Sequence, residues 1–82
     1  MKQPELVFYS RSRCPLCDKA KSVLMDLKKE YEFKLIEKDI DESDDLTEKY
    51  GLMIPVVEIN GREVQFGHID PITVSEALTE KN

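Results

Sequence analysis

The sequence has no run approaching the ~20 apolar residues needed to cross a bilayer. Its opening, Met1-Lys2-Gln3-Pro4-Glu5, has no apolar core and no small-residue cleavage site of the secretory kind. The expectation is a cytoplasmic protein without a membrane partner. Basic residues are outnumbered, 12 against 17 acids, for a net charge of −5. That excludes a nucleic-acid partner, because phosphate binding needs a basic surface. Two cysteines and the lone His68 are too few for a closed zinc site of about four ligands, so no metal is expected. There is no Gly-rich phosphate loop and no Ser-His-Asp arrangement, and no low-complexity segment, repeat or linker interrupts the chain. What remains is 82 residues, 40% of them apolar, which fits one small folded domain and, by default, a monomer.

The residues that are present alternate between strand and helix signals. Glu5 to Tyr9 is a short run of strand formers ahead of a polar turn at Ser10–Arg13. Pro15 suits the first position of a helix, where its missing N–H costs nothing. Leu16, Ala20, Val23, Leu24, Leu27 and Tyr31 then fall on one face at helical period, predicting a helix from Pro15 to about Glu30. Phe33 to Asp39 reads as a second strand, with Phe33, Leu35 and Glu37 turned to one face. Asp41–Asp44 is rich in capping residues and introduces a short helix with Leu46 and Tyr50 inward, ended by Gly51 as a C′ glycine. Pro55–Ile59 and Arg62–Phe66 are strands joined by Asn60-Gly61, the strongest short hairpin signal. Gly67 ends the hairpin. Asp70-Pro71 opens a last helix with Val74, Ala77 and Leu78 inward, although Thr73 and Glu76 could form a capping box starting it later. The order β-α-β-α-β-β-α predicts an α/β fold: a right-handed parallel β-α-β unit, an antiparallel hairpin, and a mixed sheet with flanking helices.

Chemistry concentrates at Cys14-Pro15-Leu16-Cys17, which follows a strand and opens a helix. Two cysteines three apart at a helix start lie on one side of the first turn, where their sulfurs can form a disulfide. The free N–H groups and dipole of the helix N-terminus stabilise a thiolate. Arg11 and Arg13 add to that stabilisation and Asp18 opposes it. The charge is unevenly spread: residues 1–21 carry Lys2, Arg11, Arg13, Lys19 and Lys21 against Glu5 and Asp18, whereas residues 37–48 hold seven acids and only Lys38. Cys14, at the helix edge, is expected to be the exposed nucleophile. Cys17, beside the apolar face, is expected to be the resolving thiol. A structural disulfide is disfavoured in a reducing compartment.

Pro55 begins a strand, and periodicity alone favours an ordinary trans proline there over a cis one. His68 reads most simply as a surface loop residue. Tyr9, Tyr31 and Tyr50 read as core or boundary residues.

The strand, the Arg11-Ser12-Arg13-Cys14-Pro15-Leu16-Cys17-Asp18 turn, the amphipathic helix, Lys38-Asp39-Ile40-Asp41 and Ile54-Pro55-Val56 together resemble the glutaredoxin family, from Leu6 to about Leu78. The resemblance implies a thioredoxin fold with a four-stranded mixed sheet in the order 2-1-3-4. It also implies a cis Pro55 packed on the cysteine turn, and Cys14 and Cys17 as nucleophilic and resolving cysteines. In typical members a tyrosine stands at Leu16, Thr-Val-Pro stands at Met53-Ile54-Pro55, and a Gly-Gly pair with a following acid corresponds to Phe66-Gly67-His68-Ile69-Asp70. Arg11 stands where a lysine binds a glutathione carboxylate. Leu16, Ile54, Pro55, Gly67, Asp70 and Arg11 are therefore the expected substrate-binding residues.

The expected activity is a thiol–disulfide oxidoreductase acting on protein or glutathione mixed disulfides, with no tightly bound cofactor. Glutathione or a thioredoxin-type reductase would reset the pair. One alternative is a dimeric module sharing an iron–sulfur cluster through Cys14. Another is a thioredoxin-like carrier that does not use glutathione, and a third is an interaction domain whose cysteine pair is vestigial.

Overall fold

The computed structural model describes residues 3–79. Its elements are β1 (Glu5–Ser10), α1 (Pro15–Leu27), β2 (Lys34–Asp39), a 3-10 turn (Ile40–Glu42), α2 (Asp44–Tyr50), β3 (Val56–Ile59), β4 (Arg62–Phe66) and α3 (Pro71–Thr79). The sheet order is β2-β1-β3-β4. β1 runs parallel to β2, with Phe8 beside Glu37, and antiparallel to β3, with Phe8 beside Val57. This is the thioredoxin fold that the resemblance implies.

Alternation along the central strands divides the core in two. Leu6 and Phe8 of β1 and Val57 and Ile59 of β3 face α1 and α3, meeting Cys17, Ala20, Leu24, Leu27, Ile69 and Val74. On the other face Tyr9 and Val56 meet Ile40 and Tyr50 beneath α2. The Tyr9 and Tyr50 rings lie 4.5 Å apart, and their hydroxyls donate to the two oxygens of Glu58 at 2.7 and 3.2 Å.

Several boundaries differ from the sequence-based expectation. α1 stops at Leu27 rather than Glu30, because Lys29 and Glu30 donate back to Asp26 and Leu27 in a tightened turn that leads out to β2. Leu16, placed by period on the apolar face, is 52% exposed, and Cys17 takes the buried position. β1 extends to Ser10, β2 begins one residue after the buried Phe33, and β3 begins after Pro55. Gly51 is not a left-handed C′ residue: its φ is −54°. Glycine is needed there because a Cβ would sit 2.5 Å from the Thr47 carbonyl oxygen. α3 starts at Pro71, with Asp70 as its cap, and the Thr73–Glu76 alternative is not used. The hairpin is as expected. Asn60 and Gly61 both have positive φ, 53° and 83°, which a two-residue turn between right-twisted strands requires.

Candidate active site

The cysteine turn lies where β1 gives way to α1. β1 ends at Ser10, and Arg13 turns the chain with a left-handed φ of 59°. Cys14 follows in extended conformation as the N-cap of α1. Its side chain does what a capping serine oxygen does elsewhere: Sγ accepts the backbone N–H of Cys17 at 3.1 Å. Its carbonyl accepts the N–H of Asp18 at 3.0 Å, closing the first helical turn. Pro15 occupies the first turn, where no donor is missed.

Cys14 and Cys17 are joined by a disulfide, with their Cα atoms 5.1 Å apart, inside the ordinary range for that bond. Their surroundings differ. Cys14 is half-buried at the rim, whereas Cys17 is 3% exposed and belongs to the core beneath α1. Of the two sulfurs, that of Cys14 is therefore the more accessible from solvent.

A second segment comes up beside the turn. The Ile54–Pro55 peptide is cis, as the resemblance implied and against the reading from periodicity alone. Pro55 is fully buried, and Ile54 and Cys14 pack against the same core cluster. Gly67, at φ 78°, donates its N–H to the carbonyls of both Met53 (3.1 Å) and Pro55 (2.8 Å). That ties the proline loop to the turn after β4.

The remaining expected site residues are distributed unequally. Leu16 lies at the mouth of an apolar cleft of about 240 Å³, with Ala20, Val23 and Ile69 within it and Lys19 and His68 at its edge. His68 is thus a surface residue, but one beside the cysteine turn. Arg13 is exposed near Cys14. Arg11 is engaged by a neighbour: its Nε and Nη2 bind the two oxygens of Asp41, and that pairing raises its pKa further. Asp70 is occupied as a helix cap, with Oδ1 accepting the Ile72 N–H at 3.2 Å and Oδ2 the Thr73 hydroxyl at 3.1 Å.

A polar cleft of about 440 Å³ on the other side of α1 was not anticipated. Cys17 forms part of its wall, together with Ser10, Lys21 and Glu37. The signal was present in the sequence as the Cys17–Lys21 spacing of one helical turn and the placement of Glu37 on the strand face of Phe33 and Leu35, but neither points to the other without the β1–β2 register.

Comparison with known proteins agrees with this geometry. The family model described as glutaredoxin-like domain (DUF836) matches residues 5–79. The solution structure of a protein from Nitrosomonas europaea is similar over 96% of this chain and 95% of its own, at 27% identity and a TM-score of 0.83. An X-ray structure of a protein from X. campestris aligns over 89% of this chain and 93% of its own, at 30% identity and a TM-score of 0.76. A variant thioredoxin from Halobacterium salinarum shares the fold over 99% of this chain and 79% of its own, at 21% identity and a TM-score of 0.72.

Proposed function

Because this chain belongs to the glutaredoxin-like domain (DUF836) family, we propose that it is a thiol–disulfide oxidoreductase that reduces protein disulfides through Cys14 and Cys17. The observation that carries the reading is the pair itself: a rim sulfur capped by a helix N–H and bonded to a buried neighbour. In the reduced protein the same N–H and the helix terminus favour the Cys14 thiolate.

The thiolate attacks one sulfur of the substrate disulfide, a Cys14–substrate disulfide forms, and the other substrate sulfur leaves as a thiolate that takes up a proton. Cys17 loses its proton and attacks Cys14 Sγ. The Cys14–Cys17 bond forms, and the second substrate sulfur departs reduced. The substrate gains two electrons and the pair loses two. A thioredoxin-type reductase or glutathione returns them.

The exposed Leu16 and Phe66 and the apolar cleft beside the turn favour a polypeptide substrate. Glutathione is the less favoured partner. Arg11 is paired with Asp41 and Asp70 caps α3, so neither is held ready for its charged groups.

The test is disulfide reduction by the parent chain and two variants, on a disulfide-bonded protein and on a small glutathione mixed disulfide. Cys14→Ser should abolish both activities. Cys17→Ser should stop turnover of the protein substrate and accumulate a covalent Cys14 adduct visible by mass spectrometry. Full activity in Cys14→Ser would sink the mechanism. Faster turnover of the glutathione adduct than of any protein disulfide would reverse the substrate preference.

A further inference from the structure

The polar cleft behind Cys17 has a composition that bears on the resolving step. Its charged walls come from four segments: Asp18 and Lys21 from α1, Glu37 and Asp39 from β2, Glu42 from the 3-10 turn, and Arg11 from the loop after β1. Two cations thus face four carboxylates. This excess of negative charge disfavours a Cys17 thiolate, just as the helix terminus favours one at Cys14. Such a charge balance opposes ionisation of Cys17, the step that resolution requires.

Of the two cations, Arg11 is held in a bidentate pair by Asp41. Lys21 is different. It stands one turn after Cys17 on the same face of α1, and its Nζ lies 3.1 Å from Glu37 Oε1. Glu37 is fixed from its other oxygen by the hydroxyl of Ser10, the only buried polar residue among those described, at 3.2 Å. A tethered carboxylate therefore holds the one ammonium that shares a cleft and a helix face with the resolving sulfur.

We propose that the Lys21 ammonium supports Cys17 as it becomes a thiolate in the resolving step, and that Glu37, anchored by Ser10, limits this support by competing for the same charge. The proposal rests on the reading of Cys14 and Cys17 as a redox pair and assigns Lys21 and Glu37 as positioning residues for it. It requires no new reactant. Cys17 gives its proton to solvent in the cleft and forms its bond to Cys14 Sγ, and the bond from Cys14 to the substrate breaks.

Two substitutions then act in opposite directions, which a merely structural ion pair would not produce. Lys21→Met should slow resolution and move its pH midpoint up. Glu37→Gln should speed it and move the midpoint down. Lys21→Arg should restore the parent rate. Both side chains are about half exposed, so the expected change is roughly two- to fivefold each way, the scale of a surface charge.

The measurement is stopped-flow reaction of the reduced chain with one equivalent of a chromogenic aromatic disulfide, across pH. The first released thiolate reports attack by Cys14, and the second reports resolution by Cys17. Circular dichroism checks that each variant is folded. Opposite shifts in the second phase, with rescue by Lys21→Arg, support the proposal. Equal slowing in both variants, or an unmoved midpoint, overturns it and leaves the pair a structural tie. If the parent chain releases only one thiolate, the redox reading itself falls.

Discussion

Cys17 shows how a single helical step decides a residue's role. Leu16 and Cys17 are neighbours, and the apolar period of α1 counts Leu16 among its buried positions. The helix enters from Arg13 at a left-handed φ of 59° and is rotated so that Cys17 turns inward and Leu16 outward. Residue type alone could not reveal that, because the entry angle of a helix is set by its cap and preceding loop. Tyr9 carries a second residue-scale consequence. Burial, and then its hydrogen bond to Glu58, raise its pKa well above the ordinary value near 10. A raised folded pKa means the neutral form is favoured in the native state. The stabilisation is present below about pH 10 and is lost as pH rises, because the unfolded tyrosine ionises first. Tyr9→Phe should therefore be less stable at neutral pH by about 1 kcal/mol, the worth of one hydrogen bond. Above about pH 10 the gap should close, at a rate approaching about 1.4 kcal/mol per pH unit for the single proton involved. Urea unfolding of both chains across that range checks it; parallel stability curves would contradict the assignment.

Elements were more legible than their ends. Among the described residues, the type and order of the three α-helices and four strands follow from period and turn residues, because buried faces impose those periods over many residues. The 3-10 turn at Ile40–Glu42 was missed. Three residues are too few to show a period, and its cap is one Asp39 oxygen accepting the Asp41 N–H at 2.9 Å. Sequence position also drew Asp70 towards substrate, by resemblance to a family acid, while its placement before Pro71 suited a cap. The hydrogen bonds give it the capping work. Removing the carboxylate leaves the Ile72 N–H and the Thr73 hydroxyl without that acceptor. Asp70→Ala should cost about 1 kcal/mol of stability in denaturant unfolding. Asp70→Asn, which keeps a capping oxygen, should recover most of it. If Asp70→Ala unfolds like the parent yet loses affinity for a thiol substrate, the residue belongs to the site and not to the helix.

At the scale of the whole molecule, two small cores share one sheet, and the cysteine turn stands at the end of the larger one. Cys17 is part of that core, so packing beneath α1 and the geometry of the redox pair are a single property. The sequence showed which residues were apolar, but not that Cys17 would be among those that hold the helix down. Leu24 and Leu16 separate the two roles. Leu24 is fully buried between α1 and the sheet, and Leu16 is more than half exposed beside the cysteines. Leu24→Ala opens a cavity and should cost roughly 2–5 kcal/mol. For a chain of this size the total stability is only about 4–12 kcal/mol, so the variant should melt far below the parent. Leu16→Ala should leave the melting temperature nearly unchanged, since little buried area is lost. On the proposed function its effect should fall on docking: reduction of a protein disulfide should slow several-fold while reduction of a small aromatic disulfide does not. Equal slowing on both substrates would place Leu16 in the chemistry of the pair. Unchanged rates on both would remove the apolar rim from the proposed reading of a polypeptide substrate.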